Sequence, residues 1–294
     1  LVINDGGENI SFDFNINLKN LKIINLKKNR GVGYTRQYGA KISKYNYLFF
    51  IDSDIIIKNN TILSLFKDYE NLENVGSIGP IQDYRNFNTD FTSDFVCAKR
   101  CYGYENVKKY LKFSAIRSEC CLIEKKFLKS VGGWGYFPNA GIEEFELGHR
   151  IINKNKVNYL TKSTSYSTYW DNIFNRCKNI ILRTSIYLPI FLSRRQFETK
   201  GSFATTSQAL SALITLLIIF SLFFLNYFED PKKILYFLFF LNLVIEFDFL
   251  RFAMKYFKKK NILMYIIGIF LTNLSIIGGS ILGILNLIKI IFKR

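Results

Sequence analysis

Histidine and paired cysteines are what this chain most conspicuously lacks. His149 is the only imidazole, and the five cysteines Cys97, Cys101, Cys120, Cys121 and Cys177 form no CxxC pair. A structural zinc site is therefore not expected, and reduced cytosolic thiols are the expected state. Acid is scarce too: 40 Lys and Arg against 23 Asp and Glu leave a formal charge of +17. That excess would suit nucleic acid, but the lysines are scattered among asparagine and isoleucine, with no basic helix, zinc module or stacking motif to read a base. No nucleic-acid partner is expected, and a face resting on anionic lipid accounts for the sign better. No signal peptide is visible. The chain opens on Leu1 inside a strand-like "LVIND", so an N-terminal truncation is expected.

Charge is missing altogether from Gly201 to Phe228 and again from Asn261 to Ile288. Both runs exceed the roughly 20 residues that a spanning helix needs. Spans are expected at 208–228, 232–250 and 262–288, the last tilted or folded as two half-spans around Gly278 and Gly279. Glu246 and Asp248 interrupt the second, and an interfacial Asp248–Arg251 pair is expected there. The loop from Arg251 to Lys260 holds five positive charges while the "EDPKK" turn is balanced. The positive-inside rule puts that loop and the N-terminal domain in the cytoplasm. Residues 166–207 read as basic, aromatic interfacial helices with Arg176, Arg183, Arg194 and Arg195 towards headgroups.

The first 165 residues read differently. Strands at "LVIND", Leu21–Asn25, "YLFFI" and "VGSIGPI" alternate with helices at Thr35–Ser43 and after "NNT", the pattern of an α/β domain with a mostly parallel sheet. Asp83–Tyr110 reads as an irregular surface excursion able to cover or gate a site. A strand, a short helix, a glycine-rich loop and a helix starting near Glu143 follow.

In such sheets ligands sit beyond the carboxyl ends of the strands. Asp5 falls there, and so do Asp52 and Asp54, which end the unbroken apolar run Tyr47–Ile51. Residues two apart in a strand point the same way, so two carboxylates share one space and repel. A hard divalent cation relieves this, and Mg²⁺ or Mn²⁺ needs only one or two carboxylates together with substrate phosphates. An Asp-x-Asp at a strand end can also merely cap the next turn. In "GGWGYFPNAGIEEFELGHR", the glycines permit close backbone approach, Trp134 offers a flat face to stack on a sugar, and Glu143 or Glu144 supplies a base. Acids also favour the first turn of any helix.

"NDGGEN", "NRGVGYTRQYGAK", "YLFFIDSD", "VGSIGP", "GGWG" and "EEFELGHR" together resemble family 2 glycosyltransferases of the GT-A fold, over residues 1 to about 190. The resemblance implies inverting transfer from a nucleotide-sugar, with UDP or GDP as carrier. Asp5, Arg36 and Asp52 match nucleotide-sugar-binding positions. Asp52 and Asp54 match the metal-binding Asp-x-Asp, with Asp54 the firmer ligand. Glu144 matches the general base beside Glu143, and Trp134 the acceptor side. The family's opening strand and first helix are not in the sequence, and glutamate stands at 144 where aspartate is usual. The Gln-x-x-Arg-Trp signature of processive synthases is absent, so non-processive transfer is expected.

The resulting expectation is a multi-pass, membrane-anchored enzyme acting on a lipid-linked or glycan acceptor at the cytoplasmic face, in contact with membrane lipid. Two alternatives stay open: a soluble or protein acceptor, and a catalytically silent membrane scaffold or sensor that kept the fold. A nucleotidyltransferase would need a glycine-rich, basic phosphate loop near its start, and none is visible.

Overall fold

The computed structural model describes residues 1–9, 20–84, 90–137, 141–168, 172–202, 204–223, 230–257 and 261–291. Two compact units result. The first is Leu1–Ser53, Asn59–Pro80 and Lys112–Thr164, and the second is Asp54–Lys58, Ile81–Leu111 and Ser165–Arg294.

In the first unit, β1 (Val2–Asn4) and β2 (Ile23–Asn25) pair in parallel as a small sheet. Helix α1 (Val32–Ile42) follows, beginning earlier than its apolar pattern suggests. The reason is Gly31, whose φ of +87° turns the chain while its carbonyl accepts the Thr35 N–H at 3.1 Å. Next comes β3 (Tyr47–Ile51), which pairs antiparallel with β7 (Cys120–Glu124). On its other side β7 runs antiparallel to β5 (Val75–Gln82), so β3 and β5 point the same way with a reversed strand between them. The α/β architecture is as expected, and the sheet is mixed.

Alternation along β3 explains its apolar run. Leu48 and Phe50 face a cluster with Ala40, Ile123, Leu128 and Trp134. Phe49 faces the other side, against Leu65, Ile78 and Leu122. Tyr47 shares that side and meets Phe66 and Tyr69 edge-on at 5.1 and 5.5 Å. Both faces thus meet apolar neighbours, with Leu48 buried and Tyr47 and Ile51 left exposed at the strand's ends, and a large side chain fully buried contributes about 1.5–3 kcal/mol. Helix α2 (Thr61–Asn71) supplies Leu65 and Phe66, whereas its Leu63 points outward. The short α4 (Lys125–Ser130) and then α5 (Glu143–Ile152) follow β7, as the sequence suggests. Strand β8 (Val157–Thr168) neighbours β5, with the Val157 N–H on the Asn74 carbonyl at 2.8 Å, and the short β6 (Tyr110–Phe113) pairs with β8.

In the second unit, β4 (Ile55–Ile57) pairs with Tyr166–Thr168 at the end of β8. The expected excursion at 83–110 is instead a helix, α3 (Phe91–Tyr102), of which only the segment 85–89 lies outside the described residues. Phe95, Cys97, Ala98 and Cys101 recur at helical spacing and enter one core with Phe249, Phe252 and Tyr265. Phe249 and Phe252 come from α8 (Pro231–Tyr256), and Tyr265 from α9 (Ile262–Ile291). Lys99 donates to Glu246 at 2.5 Å within that contact, so this acid answers a cation across helices, while Asp248 and Arg251 form the expected exposed pair at 3.8 Å.

Helices α6 (Ile173–Arg194) and α7 (Thr206–Phe223) complete the unit. By length and composition α7 and α9 are candidate membrane spans. The second expected span, 232–250, is helical within α8, but its charged second half keeps it out of that class. The residues 224–228 and 258–260, counted above in a span and in the basic loop, lie outside the described residues. Helix α9 runs unbroken through Gly278 and Gly279. Gly279 serves packing, since a Cβ there would stand 2.6 Å from the Ile181 carbonyl oxygen and 2.7 Å from Thr184 on α6. A polar clasp ties the three C-terminal helices: Asn273 donates to Ser211 and Thr215 at 2.8 and 2.9 Å, and Asn242 donates to the Ser211 carbonyl at 3.0 Å.

Candidate active site

The site is built around Arg36, on the buried face of α1. Its Nη2 donates to both oxygens of Asp52 at 2.7 and 2.9 Å, and its Nη1 donates to Glu143 at 2.9 Å. Its guanidinium lies over the Trp134 ring, 5.0 Å from the centroid. Burial opposes this cation, but Asp52, Glu143 and Glu144 outweigh it and hold the guanidinium above its ordinary pKa. Repulsion at the strand end is therefore answered first by an arginine.

Each partner is fixed by its own element. Asp52 follows β3, and its N–H donates to the Glu119 carbonyl at 3.0 Å. Glu143 opens α5, is buried, and uses its second oxygen to accept the Gly141 N–H at 3.1 Å. Glu144, next along the helix, is half-buried, and its carbonyl accepts the Ile116 N–H at 3.1 Å. Glu143 thus holds the site together and Glu144 is the more accessible acid. Burial pushes the nearby Cys121 thiol up to about 12, against the pull of Arg36 and with the push of Glu119 and Asp52. All five cysteines are free.

The Gly-Gly-Trp-Gly loop is clamped from two sides. The Arg150 guanidinium donates to the Val131 carbonyl and, at 2.6 Å, to that of Gly133, while Glu146 holds it from one turn earlier. From α1, Gln37 accepts the Trp134 N–H at 2.9 Å. Gly132 and Gly133 have φ of +87° and +73°, and a Cβ on Gly133 would fall 2.3 Å from the Gln37 amide oxygen. Close approach to α1 is a real demand here, since a Cβ on Gly33 would lie 2.2 Å from the Gly135 carbonyl oxygen.

Trp134 is only 5% exposed, with Phe50 edge-on at 5.1 Å and Arg36 over its ring. Its faces are not offered for stacking on a sugar, which corrects that part of the expectation. Asp5 spends both oxygens on the loop before α1, accepting the N–H groups of Arg30 and Gly31 at 2.9 and 2.8 Å. Arg36, Asp52, Trp134 and Glu143 are thus brought into direct contact, Glu144 acts on Arg36 through its charge, and Asp5 shapes the adjoining loop. Asp54 is exposed and belongs to the second unit. Among the described residues no three His, Cys, Asp or Glu side chains gather as a metal cluster. A hard cation needs only one or two carboxylates and completes its shell with phosphate, and Asp54 is an exposed carboxylate.

Gln37 and Arg150 were not singled out by sequence reasoning. Arg150 stands seven residues after Glu143, two helical turns on and hence on a related face of α5.

The family model described as Glycosyl transferase family 2 matches residues 1–132. A poly-beta-1,6-N-acetyl-D-glucosamine synthase from Staphylococcus epidermidis is 25% identical over 146 residues, covering 46% of this chain and 34% of its own length. A second synthase of that name from the same species is 24% identical over the same share. The chain spans about a third of the length of these curated relatives. A crystal structure of GalNAc-T7 with UDP, GalNAc and Mn²⁺ aligns at a TM-score of 0.42 and 15% identity, over 51% of this chain and 32% of that one.

Proposed function

We propose, from the match of residues 1–132 to the Glycosyl transferase family 2 model, that this chain is a membrane-anchored inverting glycosyltransferase. It takes a sugar from a UDP- or GDP-sugar and passes it, at the cytoplasmic face, to a lipid-linked or glycan acceptor. The observation that carries this reading is the Arg36 bridge, which draws the strand-end carboxylate and the first acid of α5 to one point. The apolar α7 and α9 support the membrane part, and the basic balance of the chain supports the cytoplasmic side.

In this reading Glu144 accepts the proton of the acceptor hydroxyl as its oxygen bonds to the anomeric carbon. The bond from that carbon to the diphosphate breaks on the opposite face, and the nucleoside diphosphate departs with the electron pair. The carboxylates of the Asp-x-Asp, Asp54 before Asp52, would hold a Mg²⁺ or Mn²⁺ ion, whose chemistry is to stabilise the charge of the leaving diphosphate. Arg36 holds Asp52 and Glu143 in place through its hydrogen bonds. Asp5 holds the loop that faces the nucleotide.

Purified full-length protein, offered a panel of UDP- and GDP-sugars with Mg²⁺ or Mn²⁺, with and without a polyprenyl phosphate, tests the reading. Expected are release of nucleoside diphosphate, a lipid-linked product, and a loss in kcat of about 10²- to 10⁴-fold for Glu144→Gln. Absence of turnover with every donor contradicts it.

A further inference from the structure

Two buried hydrogen-bond donors in the site have no partner among the described residues: Nε1 of Trp134 and Nε of Arg36. Both side chains are more than nine-tenths buried, and both belong to a single guanidinium–indole contact. A buried donor left unsatisfied forfeits the full cost of its desolvation, so two in one contact mark a place where an oxygen belongs. The type of oxygen follows from charge. One guanidinium already faces two carboxylates, Asp52 and Glu143, so the locus is net negative and repels a phosphate oxygen. A neutral hydroxyl accepts from the two N–H groups without adding charge.

We infer that Trp134 binds substrate through its indole N–H, which with Arg36 Nε grips a hydroxyl of the transferred sugar. The tryptophan reads the sugar by its edge, its ring being engaged by Phe50 and Arg36. This rests on the proposed nucleotide-sugar reading, and it assigns the contact to the sugar and away from the diphosphate.

The chain has two tryptophans, so ¹⁵N-indole labelling of the full-length protein in detergent gives a spectrum that Trp134→Phe assigns. UDP-glucose, UDP-N-acetylglucosamine and GDP-mannose, each with Mg²⁺, are titrated against UDP and GDP alone, with calorimetry reporting whether each binds. The Trp134 indole proton is expected to move downfield with a sugar nucleotide that binds and to stay in place with the diphosphate alone. A shift of equal size with UDP or GDP alone overturns the hydroxyl assignment, and so does calorimetric binding of a sugar nucleotide without a shift. Failure of all these ligands to bind overturns the nucleotide-sugar reading itself, a result recognisable from the calorimetry. As a second readout, 3-benzothienylalanine at position 134 keeps the ring shape and removes the N–H. It is expected to raise the KM for the donor about tenfold with little change in melting temperature, and a donor deoxygenated at the gripped position should then suffer no further loss. Unchanged KM in that variant overturns the inference.

Discussion

Arg36 decides most of the site's chemistry, because it is a single cation bound by two acids and an aromatic ring with almost no access to water. Removing one partner of a buried ion pair leaves an uncompensated charge, at a cost of about 3–5 kcal/mol. Arg36→Met is therefore expected to lower the melting temperature of the purified chain sharply. Arg36→Lys should lie between that variant and wild type, since an ammonium keeps the charge but loses the planar fork. Equal melting temperatures for all three would contradict the bridge. Arg36, Asp52 and Glu143 were each recognisable from short motifs. That they touch was not, because 16 and 107 residues separate the bonded pairs and only the folded sheet closes those distances. Gln37 left no trace, and Arg150 showed only its i,i+4 spacing from Glu146: what both clamp are backbone groups of the Gly-Gly-Trp-Gly loop, and carbonyl and amide groups look the same in any sequence.

Elements show a similar division. The apolar run of β3 announced a strand covered on both faces, and its alternating contacts with two clusters match. Helix α3 was unreadable because its apolar positions are filled by cysteine, alanine and phenylalanine among charged residues, and its start depends on a cap. Asp90 supplies that cap, accepting the Ser93 N–H at 3.0 Å and its hydroxyl at 2.8 Å. Partial burial works against the charge, but the Ser93 bonds prevail and hold the carboxyl below the usual range. A depressed carboxylate contributes stability above its unfolded pKa and loses it as pH falls through the folded value. Asp90→Ala is expected to cost about 1 kcal/mol at pH 7, and the gap in melting temperature to wild type should close below about pH 4. A gap that persists in acid argues against the cap. In the Gly-Gly-Trp-Gly loop, Gly133→Ala would force a Cβ into the Gln37 amide. The expected result is loss of the Gln37–Trp134 bond, a changed Trp134 indole resonance, and donor turnover reduced at least as much as by Gln37→Leu.

Over the whole chain, composition alone separates an α/β half from an apolar helical half, and the contact pattern refines this by counting 54–58 and 81–111 with the C-terminal helices. No linear reading could find that division, since those segments join their unit through space. The Lys99–Glu246 pair is one such tie: at 2.5 Å and largely buried, it fixes α3 to α8. Glu246→Leu is expected to destabilise by about 3–5 kcal/mol, whereas Lys99→Met with Glu246→Leu should recover much of the loss, because two apolar side chains leave no buried charge. A double variant worse than the single one would show that the pair has another role. The net charge of +17 leads to a further expectation at this scale. Tight association with vesicles should rest on the apolar helices and survive high salt, and an anionic lipid component should add a salt-sensitive part. Cosedimentation with neutral and anionic vesicles at low and high ionic strength measures both.

The most direct measurement is calorimetric titration of the full-length protein with UDP and with GDP, each in the presence and absence of Mn²⁺. Binding of one of them that requires the ion, and that disappears in Asp54→Ala while Glu144→Gln retains it, is the predicted result. Binding that ignores both the ion and Asp54, or no binding by either nucleotide, would contradict a cation-bridged nucleotide site at the end of β3.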